Sequence, residues 1–172
     1  ENVIPYLYDS DYCTQFMNGY AVVGWYNETL STVERKLINE NGAIIPLPSN
    51  VSIASDALVN DNLVAIQDIS TRLFGYYNLT EKEISIECQF KKCGDFRSGY
   101  ASVSIDGKLW GHIDRNGRWV VKPKFLANRS YEFIYDRAFI QDHNEQIIIN
   151  PAGEIIARIP FDATGIVMDN NY

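Results

Sequence analysis

Along this chain apolar residues alternate with polar ones over short runs, and turn-forming residues cut the runs apart. The clearest run is Tyr100-Ala101-Ser102-Val103-Ser104-Ile105, where Ala101, Val103 and Ile105 share one side and Tyr100, Ser102 and Ser104 the other. A period of two puts successive side chains on opposite faces of a strand, so the pattern predicts a half-buried β-strand. Asp106-Gly107 follows, a pair suited to the positive φ angles of a tight hairpin. A second strand is expected around Trp110 to Asp114, ending at the turn signal Arg115-Asn116-Gly117. A third runs from Trp119 to Lys122 and stops at Pro123, which has no amide hydrogen to give to a central ladder.

The same order of runs returns along the chain. Its opening reappears as Phe16-Met17-Asn18-Gly19-Tyr20-Ala21-Val22-Val23, as Asn62-Leu63-Val64-Ala65-Ile66, and as Phe133-Ile134-Tyr135-Asp136-Arg137-Ala138-Phe139-Ile140. Ala21, Val64, Ala101 and Ala138 align, at intervals of 43, 37 and 37 residue numbers. The middle part returns in segments that end at Gly42, Asn78, Gly117 and Gly153. One three-stranded meander buries too little surface to stand alone, so the copies must share a core. The expectation is a single all-β domain over 1–172, built of about four tandem three-stranded antiparallel meanders of roughly 37 residues. Approximate copies are 12–54, 55–92, 93–129 and 130–165. Periodicity leaves open whether they form an open array or a propeller-like ring.

Phe-x-x-Gly-Tyr-Ala followed by Trp-Gly-x-Ile-Asp-x-x-Gly, as in Phe96 to Gly117, resembles the WG-repeat (KWG) family of bacterial proteins. The third copy carries the motif in full. The first has Arg35-Lys36 where Trp-Gly belongs, the second Phe74-Gly75 and the fourth Gln146-Ile147. Recurrence at a fixed strand position argues that Trp110 and Gly111 are architectural: the indole fills space between layers and the glycine admits backbone. Gly42, Gly117 and Gly153 are expected at turns. Loss of Trp-Gly at both ends suits terminal, capping copies. The resemblance implies a rigid scaffold that binds a protein partner in a bacterial surface, secreted or toxin-associated setting. A toxin-neutralising immunity-type protein is one concrete form of it.

Composition narrows the classes further. Hydrophobic residues make up 46% and charged residues 22% of 172 positions, values that belong to a folded domain and not to a disordered chain. A net charge of -7 and a pI near 4.8 weigh against nucleic acid, since phosphate contacts need clustered basic residues. Lys122-Pro123-Lys124 is the densest basic stretch. An acidic balance could instead draw a basic protein partner. No run nears the ~18 apolar residues that a spanning helix needs. Glu1 in place of an initiator methionine suggests that an N-terminal piece has been removed. Cys88 and Cys93 bracket a short polar connection and could close a disulfide in an oxidising compartment or remain reduced. The setting stays open, with a periplasmic or secreted location slightly favoured over a cytoplasmic one.

Titratable groups for catalysis are few. His112 falls where the other copies carry Leu37, Tyr76 and Ile148, and His143 lies in an expected hairpin turn. Neither the nucleophile elbow, the phosphate-binding loop nor the zinc-protease pattern is present, so no enzyme activity, cofactor or metal is expected. Asp9-Ser10-Asp11 lacks the later glycine and glutamate of a calcium loop. Recognition is left as the role for exposed residues. The first copy spans five residues more from Ala21 to Gly42 than the third does from Ala101 to Gly117, and extra residues in a repeat usually emerge as a loop. Trp25, Tyr26, Asn27 and Glu28 in that loop are the first binding candidates, because aromatic anchors dominate interface energetics. Tyr76, Tyr77, Tyr131 and Tyr135 are the second set, with core packing as the plain alternative. Exposed aromatics of this kind would also suit polysaccharide, the alternative partner. Glycosylation tripeptides begin at Asn27, Asn50, Asn78 and Asn128 and mark surface loops at most.

Overall fold

Two kinds of turn set the register of the chain. In the first, two consecutive residues both take positive φ: Asn18-Gly19, Asp61-Asn62, Ser98-Gly99 and Tyr135-Asp136. That is the backbone of the tight hairpin whose twist matches its strands. The flanking residues pair as Met17 with Tyr20, Asn60 with Leu63, Arg97 with Tyr100 and Ile134 with Arg137. In the second kind, the amides of Gly42, Gly117 and Gly153 donate to the carbonyls of Asn39, Asp114 and Asn150. The side-chain oxygens of those three residues accept further amides within the turn. Each glycine sits at φ 74 to 77, where a Cβ would be strained. In the second copy Lys82, at φ 57, takes the glycine's place.

The computed structural model describes residues 10–126, 131–142 and 145–160. After a single 3-10 turn at Ser10–Tyr12, the first sheet holds β1 (Tyr20–Asn27), β2 (Thr32–Asn39) and β3 (Ile44–Ile45). The second holds β4 (Val51–Ile53), β5 (Leu63–Asp68), β6 (Phe74–Asn78) and β7 (Glu83–Phe90). The third holds β8 (Lys92–Cys93), β9 (Tyr100–Ser104), β10 (Leu109–Asp114) and β11 (Trp119–Leu126). The fourth holds β12 (Phe133–Ile134), β13 (Arg137–Asp142), β14 (Glu145–Ile149) and β15 (Ile155–Pro160). All pairing is antiparallel, between neighbours in sequence. The expected three-stranded meander is therefore corrected: three of the four described sheets gain a leading strand of two or three residues. Such a strand is too short to show alternation in the sequence.

Successive sheets pack on one another through residues at equivalent positions. Trp110 is buried with Val121, Phe125, Tyr131 and Phe133, between the third and fourth sheets. Phe74 packs at the corresponding place in the core shared by the first three. A Cβ on Gly111 would stand 2.4 Å from the Val121 carbonyl oxygen, and one on Gly75 would stand 2.4 Å from that of Ile86. Both glycines lie where the pairing shifts register, so the outer strand bulges over them. Gly117 faces Ile86 of the preceding sheet and Gly153 faces Val121 of its own predecessor.

Polar ties follow the same spacing. Tyr76 Oη donates to the Gly94 carbonyl at 2.7 Å, and His112 Nε2 lies 2.9 Å from the Tyr131 carbonyl. Asp95 accepts the Leu58 amide at 3.0 Å, and Asp61 accepts the Gly99 amide at 2.7 Å while pairing with Arg115 at 2.9 Å.

Candidate binding groove

The first sheet is built differently from the others, and the difference starts with two prolines. After Ile44 and Ile45 pair with Ile38 and Leu37, the chain reads Pro46-Leu47-Pro48. Neither proline has an amide hydrogen, and pairing with β2 ends at Ile45, whereas β11 bulges, runs through Pro123 and pairs again at Phe125 and Leu126, past the stop expected from the sequence. β2 therefore runs on from Lys36 back to Thr32 with a partner only on its β1 side. The other edge of that pair is covered, because Thr14 N donates to the Val22 carbonyl and Val22 N donates to Thr14 Oγ1. Amides alternate in direction along a strand. Asn39 N points outward to the Ala43 carbonyl and Glu40 N inward to that of Gly19, so Val33 and Arg35 turn their amides and carbonyls to the open side. Arg35 Nη1 lies 3.5 Å from the Val33 carbonyl.

Beside this edge lies a groove of about 670 Å³. Residues Thr32 to Leu37 form one wall, the Ile44–Ser49 connection another, and Val51 to Ile53 with Gln67 and Arg72 the third. Its charged lining is Glu34, Arg35, Lys36 and Arg72, three positive groups to one negative in a chain that is acidic overall. Its apolar lining includes Ile45, Leu47, Val51 and Ile53.

The pairing fixes which first-sheet residues stand at the Trp-Gly place. Ile38 pairs with Ala21 as Ile113 pairs with Ala101, so Arg35-Lys36 occupy the position of Trp110-Gly111. The pattern of the WG-containing repeat matches residues 74–108 and 110–125. Residues 74–125 thus carry the WG-repeat pattern. Where the WG motif is present, an indole or phenyl ring closes the gap to the next sheet. Where Arg35 replaces it, the gap is the groove.

Among curated proteins no significant match is found. Among solved structures, BamB from Moraxella catarrhalis matches over 86% of this chain and 48% of that one, with 14% identity and a TM-score of 0.52. This chain thus spans about half the length of that structure, and the likeness is one of fold. The computationally designed Ika4 protein also matches, with 10% identity, TM-score 0.44 and coverage of 84% and 87%. So does a protein of unknown function from Bacteroides caccae, with 15% identity, TM-score 0.39 and coverage of 83% and 57%.

The candidates read from the sequence separate into three groups. The five extra residues of the first copy do not form a loop: they lengthen the β1–β2 hairpin, with Trp25 opposite Glu34, Tyr26 opposite Val33 and Asn27 opposite Thr32. Asn27 caps the tip by accepting the Leu30 amide and donating to Glu34. Trp25 is half-buried, Tyr26 is 51% exposed and Glu28 is exposed. The hairpin thus reaches the groove through β2, while Trp25 to Asn27 lie on β1 behind it and Glu28 in the turn at its tip.

Tyr76, Tyr77 and Tyr131 are buried and are corrected to core residues. Tyr76 packs edge-on against Phe96, and Tyr131 packs near Trp110, Phe125 and His112. Tyr77 Oη lies 3.5 Å from the Pro46 carbonyl, behind the groove wall. Tyr135 is 92% exposed at a turn tip, apart from the other three.

Cys88 and Cys93 stand as free thiols, on β7 of the second sheet and β8 of the third. Burial pushes the Cys93 thiol up to about 12, which makes it a poor nucleophile. His143 and Asn128 lie outside the described residues.

His112 carries a role the sequence reading gave it no credit for. It is fully buried between the Tyr131 and Phe133 rings, and burial holds its imidazole down to about 4. It is a neutral strut between sheets, at the position where Tyr76 does the same work one sheet earlier. That shared position, with a polar ring in both copies, was the available signal. Asp95 is pushed up to about 6, chiefly by burial, with Glu132 and Asp56 nearby. Its oxygen holds the Leu58 amide, while Glu132 pairs with Arg97 at 2.8 Å. Both carboxylates are thus committed to ties between sheets.

Proposed function

We propose that this chain is a non-catalytic binding scaffold whose stacked WG-repeat sheets hold a recognition groove for a protein partner between the first and second sheets. The observation that carries this reading is the substitution of Arg35-Lys36 for Trp-Gly. It replaces a space-filling aromatic by charged, solvent-reaching side chains and leaves a strand edge open beside a groove. Arg35 is half-exposed and Lys36 exposed, as a capping copy also allows, and the groove with an unpaired strand edge beside them favours recognition over capping alone. The sheets are proposed to follow one another in a curved, propeller-like array, which holds both groove walls rigid. Pre-formed walls suit tight recognition because little order is lost on binding. Neutralisation of a toxin by an immunity-type contact is one concrete form of the function.

The test is affinity capture from the source organism with the wild-type chain and with the Arg35→Trp/Lys36→Gly double variant, which restores the motif and fills the gap. A protein retained by the wild type and lost by the folded double variant is the expected result. Equal retention by both moves recognition elsewhere on the surface, and retention of polysaccharide alone replaces the protein partner with a glycan.

A further inference from the structure

The groove's own chemistry says what kind of protein segment it would take. Val33 and Arg35 present outward amides and carbonyls along an edge that no described strand pairs. An extended peptide laid beside β2 would satisfy them as a natural next strand does. The edge from Thr32 to Lys36 is long enough for about five residues of such a strand, roughly 16 Å at 3.3 Å per residue. The charges beside it are Arg35, Lys36 and Arg72 against Glu34, which would repel a basic segment and attract an acidic one. Arg35 now leans on the Val33 carbonyl, the way a charged residue guards an open edge. A carboxylate on an incoming strand would draw it away and free that acceptor.

We propose that the groove beside β2 binds an extended acidic segment of a protein partner, which adds to the first sheet as its missing outer strand. This rests on the groove reading above and replaces the basic partner that net charge alone suggests. Local charge governs because surface charges more than a Debye length away, about 8 Å at physiological salt, are screened.

The probe is a labelled Glu-Val-Glu-Val-Glu-Val-Glu peptide, with its Lys-for-Glu counterpart and a version N-methylated at alternate amides, titrated against the full chain by fluorescence anisotropy. The acidic peptide should bind, weaken at least tenfold with Arg72→Glu, and weaken again as salt rises. The N-methylated and lysine peptides should fail to bind. Arg72 is an exposed turn residue, and a melting curve confirms that its variant is folded. Equal binding of the lysine peptide, of the methylated peptide, or by Arg72→Glu overturns the proposal. So does no binding of any peptide, and in that case loss of captured partner in the Arg35→Trp/Lys36→Gly variant would leave the groove standing as a site for other chemistry. Acidic peptide that binds the filled variant as well as the wild type removes the groove itself.

Discussion

The junction between the third and fourth sheets and the junction between the first and second use the same strand position for opposite ends. In the former, Trp110 is buried among Val121, Phe125, Tyr131 and Phe133, with Gly111 letting the outer strand bulge over it. In the latter, Arg35 and Lys36 line an open groove, and the outer strand stops at Pro46. A repeat that fills the position gains a hydrophobic seam. One that gives it to charge loses part of that seam and gains an edge with donors and acceptors on show. The first two sheets stay together nonetheless, because Val22 and Leu37 still join the core that includes Val64, Ile66 and Tyr77.

Substitutions at matched places would break or sharpen this contrast. Trp110→Ala should cost about 3–5 kcal/mol, the usual range for truncating a buried large aromatic. Arg35→Ala, its counterpart, should change stability by no more than about 0.5 kcal/mol. Denaturant unfolding of both variants measures the gap, and a similar cost for each would erase the distinction.

The next effect is on pH. His112 binds a proton near 6.5 when unfolded but only near 4 when folded. Its contribution is complete above pH 6.5 and falls away as the pH drops towards 4, by up to about 3 kcal/mol. Asp95 works the other way, since its folded carboxyl holds a proton up to about 6, so its effect favours the fold as the pH drops. The informative quantity is therefore the difference between wild type and His112→Tyr. The variant, which borrows the Tyr76 solution, should lose less stability between pH 6.5 and 4. Parallel pH curves would show that His112 is not the buried neutral strut described.

Gly111→Ala should cost about 1–3 kcal/mol, as overpacking against fixed backbone does, because the new Cβ would meet the Val121 carbonyl and Pro123 nitrogen. Lys36→Gly, at the same place in the first sheet, should cost less than about 1 kcal/mol, the strand-interior penalty for glycine alone. Thermal melts of the pair read this smallest of the contrasts.

Much of the fold was written in local pattern. Ala21, Val64, Ala101 and Ala138 do stand at one register, each two residues past a two-residue positive-φ turn. Alternation and turn chemistry act over a few residues and survive in a linear reading. The leading strands β4, β8 and β12 were not legible, because two or three residues show no period. The groove was half legible. Arg35-Lys36 was visible as a departure, but a missing motif reads equally as a harmless cap, and only the stop at Pro46 shows that an edge is left bare. The tyrosines misled for a related reason: Tyr76, Tyr77 and Tyr131 can bury their rings and still satisfy a hydroxyl, so aromatic content alone does not locate a surface.

The struts from Tyr76 and His112 both end on main-chain oxygens of the next sheet, those of Gly94 and Tyr131, although Tyr76 also meets the Cys93 side chain. Every residue offers a carbonyl, so the receiving copy can change its side chains without breaking the tie as long as its spacing holds. Tandem units joined in this way are free to diverge in sequence one at a time. One member can then lose its signature pair and take up a new task while the rest keep the assembly together.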